Sequence, residues 1–355
     1  MTEYGLRCSD ILYKNSQFTL KLDFAVKKGE LVSIIGPTGC GKSTLLSLIS
    51  GLIKPESGSI EINGKSVNNL KSEDRHVGLV VQGAALFPNM DVEQNIAYPM
   101  KSKKLTKDAL KAEIRRLVEL VNLTGNEKRR VNELSDSDKQ KVALARALAS
   151  EPEILLLDQV LSSLESQISQ NLRTEIRDIQ KKTGITMLFL TDDQEEALSI
   201  SDRVMVLNNG RIEQFGNPED IYRHPATEFV AKFTGQCNLL PYDVILKTLR
   251  VPETERSKVI YQCFGPEHRL FFRPEDMVVN DMPGLPFPEF YPHLRFENAK
   301  VIRSEYHGKE YLVTIQYEDL IIKVYTVYKP ASEFITAGIR INKIIEFNNG
   351  KITKH

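Results

Sequence analysis

The stretch Gly36-Pro37-Thr38-Gly39-Cys40-Gly41-Lys42-Ser43-Thr44 decides the reading of this chain. It fits the spacing G-x-x-x-x-G-K-[ST] in the setting that this spacing requires. Before it runs Leu31-Val32-Ser33-Ile34-Ile35, apolar and rich in β-branched residues, which reads as a buried strand. After it comes Leu45-Leu46-Ser47-Leu48-Ile49-Ser50 and then Gly51, which reads as a helix with a glycine C-cap. Strand, glycine loop and helix together predict a phosphate cradle. The glycines let backbone N–H groups turn inward, and the helix N-terminus adds partial positive charge. Lys42 is then placed to reach the outer phosphates and Ser43 to offer its hydroxyl to Mg²⁺. A glycine turn that binds nothing is the bland alternative, and the filled fixed positions weigh against it. The expected ligand is a nucleoside triphosphate.

Composition bounds the rest. At 355 residues the chain should hold two domains, or one large domain with an appendage. Lys+Arg and Asp+Glu both number 47, so no net positive charge points to nucleic acid as the main partner. The four cysteines, Cys8, Cys40, Cys237 and Cys263, are scattered, which suits reduced thiols better than a disulfide framework. The six histidines are dispersed and make no metal-ligand cluster in the sequence. The N-terminus, Met1-Thr2-Glu3-Tyr4-Gly5, lacks the basic and apolar regions of a signal peptide. No apolar run is long enough to cross a bilayer, so a membrane role is expected to come through a partner, without direct insertion.

Residues 5–30 alternate in short runs and predict antiparallel strands, with Tyr13 among them. Gly58-Ser-Ile-Glu-Ile-Asn-Gly64 predicts a strand ending in a turn, and Val77-Gly-Leu-Val-Val81 a buried strand ending at Gln82. From Asp91 to about Ser150 the periods turn helical. Asp91 with Gln94 resembles a capping box, Leu110, Ile114, Leu117 and Val121 mark one apolar face, and a further helix is expected over about 138–149. Ile154-Leu-Leu-Leu-Asp158 predicts a buried strand with an acid at its end. An amphipathic helix should follow, apolar at Leu164, Ile168, Leu172, Ile176 and Ile179 and capped by Gly184. Ile185 to Thr191 predicts the next strand, and Val204–Leu207 with Arg211–Gln214 a hairpin around Asn209-Gly210. Strands alternating with helices imply a mostly parallel α/β sheet. Beyond about residue 236, short β-like runs at 270–272, 311–315, 321–325 and 341–347 predict a small all-β domain. A stretch holding Pro283, Pro286, Pro288 and Pro292 reads as a surface loop within it, with a polyproline docking segment as the alternative.

With these segments placed, the first 235 residues resemble the nucleotide-binding subunit of an ABC transporter, a P-loop NTPase. Residues 236–355 resemble the OB-like regulatory (TOBE-type) domain of the importer ATPases for maltose, polyamines, ferric iron, sulfate and molybdate. Gly36–Thr44 matches the Walker A loop, Gln82 with Ala85-Leu86-Phe87-Pro88 the Q-loop, and Glu151 to Asp158 the Walker B strand. Val142–Leu148 matches the helix after the signature motif, Asp193–Ala197 the segment after the switch histidine, and Arg273-Pro274-Glu275 a motif of the C-terminal domain. The resemblance implies an antiparallel β subdomain and a helical subdomain over about 88–150. It implies ATP and Mg²⁺ held by Tyr13 (stacked on adenine), Gly36, Thr38, Gly39, Cys40, Gly41, Lys42, Ser43, Thr44, Gln82 and Asp158, with Ser43, Gln82 and Asp158 toward the metal. Ser135 would reach the nucleotide of an opposing subunit in a homo- or heterodimer. The surface from Gln82 to Tyr98 would receive the permease, on the cytoplasmic face of the plasma membrane.

The sequence departs from the family where hydrolysis is performed. Gln159 stands at the general-base position, and glutamine can hold a water but cannot take its proton; that catalysis is typically worth about 10²–10⁴ in rate. Asp192 stands at the switch-histidine position, where an ionised carboxylate only accepts hydrogen bonds. Leu134-Ser135-Asp136-Ser137-Asp138 replaces Leu-Ser-Gly-Gly-Gln. Its carboxylates would either face the opposing phosphate, at a cost of up to about 4 kcal/mol each, or cap their own helix. The expectation is an ATP-binding importer subunit with impaired hydrolysis of its own. Two alternatives stay open: a regulatory or scaffolding pseudo-ATPase without turnover, and an ATPase using Asp192, Asp193 or Glu165 as a substitute base. The transported substrate is not encoded in these motifs.

Overall fold

The computed structural model describes residues 3–15, 18–103, 105–241, 243–244, 248–250, 268–280 and 293–352. Contacts divide the chain into two compact units, residues 1–219 and 220–355. That division falls somewhat before the expected boundary at 235/236.

In the first unit, β1 (Tyr4–Lys14), β2 (Thr19–Lys27), β4 (Ser57–Ile62) and β5 (Lys65–Ser66) form an antiparallel sheet in the order β2-β1-β4-β5. Asn63 and Gly64, both with positive φ, turn β4 into β5. A second sheet carries β3 (Leu31–Ile35), β6 (Val77–Val80), β7 (Ile154–Asp158), β8 (Thr186–Leu190), β9 (Arg203–Asn208) and β10 (Arg211–Gly216) in the order β10-β9-β3-β8-β7-β6. All its pairings are parallel except the β9–β10 hairpin. The central strands read as unbroken apolar runs because both faces of the sheet are covered. Leu155 and Leu157 of β7, with Met187 and Phe189 of β8, enter one core cluster. Ile154, Leu156, Leu188 and Leu190 enter the other.

Helices fill those faces. The first, α1 (Lys42–Ser50), packs Leu45, Leu46, Leu48 and Ile49 into the second cluster. Three more, α2 (Val92–Ala97), α3 (Lys107–Leu120) and α4 (Asp136–Ala149), pack on the first cluster. Asp91 and Gln94 make the expected capping box of α2. The long helix α5 (Ser166–Thr183) ends on left-handed Gly184 and buries Leu172, Ile176 and Ile179. Two details of the expected apolar face differ: Leu164 precedes the helix, and Ile168 is 39% exposed. Buried Ser169 sits inward in its place, bonded to the carboxylate of Glu196 in α6 (Gln194–Ile200).

The division between units falls within α7 (Pro218–Arg223), and α8 (Glu228–Phe233) follows in the second. Two β-sheets follow. One is ordered β11 (Asn238–Pro241), β13 (His268–Phe272), β19 (Ile345–Asn348), β20 (Lys351–Ile352). The other is ordered β14 (Val278–Asn280), β18 (Phe334–Arg340), β15 (His293–Tyr306), β16 (Tyr311–Tyr317), β17 (Leu320–Thr326), with β12 (Leu249–Arg250) paired to β15. Alternate residues such as Leu294, Phe296, Val313, Ile315, Ile322 and Val324 point into a shared core. The expected strand over 341–347 is shorter, since Ile341–Lys343 closes a 3₁₀ turn before β19. The Arg273-Pro274-Glu275 motif is structural here. Buried Arg273 donates to the carbonyls of Tyr222, Ala231 and Gln236 and to the Thr234 hydroxyl, while Glu275 accepts from the Tyr222 hydroxyl. The proline-rich loop lies outside the described residues.

Candidate functional site

Strand order builds the site. The phosphate loop follows β3, Gln82 follows β6, Asp158 ends β7 and Asp192 follows β8. These four strands are parallel neighbours, so their carboxyl ends open on one rim, where α/β sheets place ligands. Because β8 lies between β3 and β7, Asp192 stands between Lys42 and Gln159.

The loop itself is open toward an anion. Gly41, at φ +112, is the residue before α1, and no side chain caps the helix, so the first-turn N–H groups keep no side-chain acceptor. A Cβ at Gly36 would lie 2.2 Å from the Leu207 carbonyl oxygen, so only glycine lets the chain pass there. Thr38, Gly39 and Ser43 are exposed at the mouth, Thr44 is half-buried, and Cys40 packs below, where burial pushes its thiol pKa up.

Lys42 is the centre of the electrostatics. It is only 6% exposed, and its ammonium donates to the Gly36 carbonyl at 2.6 Å and the Pro37 carbonyl at 3.1 Å. Asp192 Oδ1 lies 2.7 Å from the same nitrogen. Asp192 Oδ2 accepts from Gln159 Nε2 at 2.7 Å. Gln159 has a left-handed backbone, φ +50, and its N–H donates to the Leu190 carbonyl at 3.0 Å, tying the ends of β7 and β8 together. Asp158 is pushed above the ordinary carboxylate pKa by burial first; Lys42 opposes this and Asp192 adds to it. A desolvated carboxylate beside a buried lysine, with Ser43 at the helix start, is a donor set of hard oxygens that fits Mg²⁺.

Gln82 Nε2 donates to Ser162 Oγ at 3.2 Å, and Ser162 Oγ donates to the Gln159 carbonyl at 2.8 Å, which joins the Q-loop to this cluster. Beyond Gln82 the backbone is left-handed at Gly83, Ala84 and Ala85, a conformation that costs of order 1–3 kcal/mol at a non-glycine residue. Two side chains hold it. Arg146 of α4 donates to the Ala84 carbonyl at 3.1 Å and lies over the Phe87 ring, while buried Asn95 bonds both backbone groups of Phe87. Arg146 sits inside the Val142–Leu148 match, yet its role was not visible without the fold.

Two expected residues are not joined to this cluster by any described contact. Tyr13 is half-buried against the second core cluster, opposite Leu20 on β2. Ser135 caps α4, accepting from the Asp138 N–H at 3.1 Å. Helix α4 therefore starts at Asp136, ahead of the expected 138, and the cap is the serine rather than a carboxylate. Asp136 turns to Lys139 at 2.8 Å. Arg75, 2% exposed, is a further residue that sequence reasoning missed: its guanidinium donates to the Leu48 and Ile49 carbonyls and so neutralises the C-terminal end of α1.

A glycine loop and helix at the rim of a parallel sheet, with lysine and aspartate on adjoining strands, define a P-loop nucleotide-binding protein. The comparisons narrow this class. The ABC transporter family model matches residues 20–162. The spermidine/putrescine import ATP-binding protein PotA of Mesoplasma florum is 41% identical over 262 residues, 73% of this chain and 75% of that protein. The sulfate/thiosulfate import ATP-binding protein CysA of Synechococcus elongatus is 38% identical over 320 residues, 89% and 86% of the two chains. Among solved structures, cbiO1 of Clostridium perfringens, part of the ABC transporter complex cbiONQ, superposes with a TM-score of 0.59 at 26% identity, covering 74% of this chain and all of that one. The chain belongs to the ATP-binding subunits of ABC importers.

Proposed function

We propose that this chain binds Mg·ATP at the rim of its parallel sheet, couples that binding to a membrane permease, and hydrolyses ATP slowly or not at all through its own residues. The observation that carries this reading is the contrast on one rim between an open loop and substituted hydrolytic positions. The loop N–H groups and Lys42 would hold the phosphates, and Ser43, Gln82 and Asp158 would hold Mg²⁺, which would supply charge neutralisation. Tyr13 is the proposed adenine platform; its partial burial on the antiparallel sheet leaves one part of the ring available.

Gln159 and Asp192 bond each other where the family places a base and a histidine. Neither can take a proton from an attacking water and also stabilise the γ-phosphate: glutamine is not a base, and the Asp192 carboxylate is already paired to Lys42. Ser135 is proposed to approach the nucleotide of a second nucleotide-binding subunit, identical or different, which would complete the site. For the permease, the segment from Gln82 to Tyr98 offers a suitable surface. The Phe87 and Tyr98 rings lie 4.4 Å apart, Lys101 sits over Tyr98, and Tyr98 is 43% exposed. No described helix is long and apolar enough to cross a membrane. The likeness to import ATP-binding subunits supports a proposed peripheral location on the cytoplasmic face. The printed substrates of the relatives, polyamines and sulfate or thiosulfate, are candidates for the cargo of that permease.

The self-capped start of α4 favours a second reading, a nucleotide-binding regulatory or scaffolding subunit without turnover. Equilibrium binding of Mg·ATP, followed by co-purification with the permease from solubilised membranes, separates the two. Binding that falls on the order of 100-fold in Lys42→Ala, the loss of a charge-assisted contact worth about 3 kcal/mol, is expected under both. Nucleotide-sensitive permease capture is expected only under the first, and absence of Mg·ATP binding would overturn both.

A further inference from the structure

We propose that Asp192 is a built-in counter-anion for Lys42 that makes this site select a nucleoside diphosphate over a triphosphate. The inference rests on the reading of the loop as a nucleotide site, and deepens it by naming which nucleotide the resting site favours.

An ammonium has three N–H groups and no acceptor. Lys42 Nζ has three oxygen partners, the Gly36 carbonyl at 2.6 Å, the Pro37 carbonyl at 3.1 Å and Asp192 Oδ1 at 2.7 Å. Every strong donor of the lysine is committed inside the chain. Of the three acceptors only Asp192 carries a full negative charge, so it occupies the electrostatic role of an outer phosphate oxygen. A third phosphate can engage Lys42 only by displacing that carboxylate, or by lying beside it as a like charge. A diphosphate, held by the loop N–H groups at the helix N-terminus, needs only a donor that Lys42 now gives to a loop carbonyl. It brings no third phosphate beside the Asp192 carboxylate, so the Lys42–Asp192 pair can stay.

Asp192 is also held where it stands. Its second oxygen takes the Gln159 amide at 2.7 Å, and the Gln159 backbone is fastened to Leu190. The residues on either side are pinned as well. Buried Thr191 donates its hydroxyl to Glu196 and receives the Asp193 N–H at 3.0 Å. Asp193 caps α6 by accepting from the Glu196 N–H at 3.0 Å, and Ser169 adds a further bond to the Glu196 carboxylate. The carboxylate swings away only if the side chain alone turns, breaking its bonds to Lys42 and Gln159 together. Gln159 thereby has a positioning role, acting on the nucleotide through Asp192.

The test is calorimetric titration of the full chain with Mg·ADP and with the non-hydrolysable Mg·β,γ-imido-ATP, for wild type, Asp192→Asn and Gln159→Leu. Asparagine keeps the size and one acceptor oxygen but removes the charge. Wild type is expected to bind the diphosphate at least tenfold tighter than the triphosphate analogue. In Asp192→Asn that ratio should shrink at least tenfold through tighter triphosphate binding, with the diphosphate changed less than threefold. Gln159→Leu should move the ratio the same way by about threefold. Ratios unchanged within twofold in both variants, with binding intact, overturn the clasp and leave the nucleotide site standing. No binding of either nucleotide to any of the three folded chains overturns the clasp and the site together.

Discussion

Two helix N-termini in the first unit have opposite fates. At α1 the preceding residue is a left-handed glycine, no side chain caps the turn, and no acidic residue occupies it. At α4 Ser135 caps the turn, Asp136 and Asp138 fill it, and Lys139 closes over Asp136. Both ends carry the same unsatisfied N–H groups and the same partial positive charge. One has no side-chain acceptor for them, and the other satisfies the Asp138 N–H with the Ser135 hydroxyl and sets two carboxylates in the same turn. A helix end that serves an external phosphate has to be left incomplete by its own sequence, and completing it restores local stability at the expense of that service. By this measure the chain leaves the start of α1 uncapped and closes the start of α4 with its own side chains.

The largest expected effect comes from making α4 resemble α1. Asp136→Gly, Ser137→Gly and Asp138→Gln together, combined with Gln159→Glu and Asp192→His, should raise steady-state ATP turnover by about 10²–10⁴-fold, the usual worth of a general base. The glycines should also lower the melting temperature, since each costs roughly 0.5–1 kcal/mol in a helix. A gain in turnover without any thermal loss would break the comparison, because it would mean the acidic turn was never stabilising.

The opposite end of α1 gives the next effect. Arg75 is buried and holds the Leu48 and Ile49 carbonyls, so Arg75→Met should cost about 2–3 kcal/mol in urea denaturation by stranding them. The two caps then differ directly. Ser135→Ala should cost about 1 kcal/mol as a lost N-cap, whereas Ser43→Ala, in an uncapped turn, should stay within about 0.5 kcal/mol. Equal losses from the two serines would erase the distinction.

The smallest effect concerns the strand that delivers the phosphate loop. Asp202 accepts from the Leu31 N–H at 2.8 Å and from the Arg177 guanidinium. Burial raises its pKa, but hydrogen bonds from Arg177 and Leu31 outweigh this and hold it below the ordinary carboxylate value. The unfolded chain therefore takes up the proton first, so the stabilisation is complete above about pH 4 and is lost as pH falls through the folded value. Urea midpoints measured from pH 6 to pH 3 should fall less steeply in Asp202→Asn than in wild type.

What the sequence revealed follows the range of the interactions involved. The phosphate loop, the Asp91–Gln94 capping box and the Asn63-Gly64 turn were legible because their partners lie within a few residues. Asp158, Gln159 and Asp192 were legible as strand-end positions, but not the Lys42–Asp192 pair, which depends on β8 lying between β3 and β7. Arg75 and Arg273 gave no local sign of burial, since the helix-end carbonyls Arg75 satisfies lie 26 and 27 residues away and the Tyr222 carbonyl that Arg273 satisfies lies 51 residues away. The face of α5 departs from its apolar spacing at Ile168 because polar Ser169 is held in the core by its bond to Glu196. Spacing shows which positions can carry chemistry, and topology decides which of them meet.

The proposed nucleotide cradle without hydrolysis of its own can be tested on the purified chain. Single-turnover release of phosphate from Mg·ATP, with wild-type chain in excess and Lys42→Ala as control, tests it most directly. Saturable binding with no release above the control over hours is the expected result. Release at an ordinary ATPase rate, abolished in the control, would contradict the roles assigned to Gln159, Asp192 and the capped start of α4.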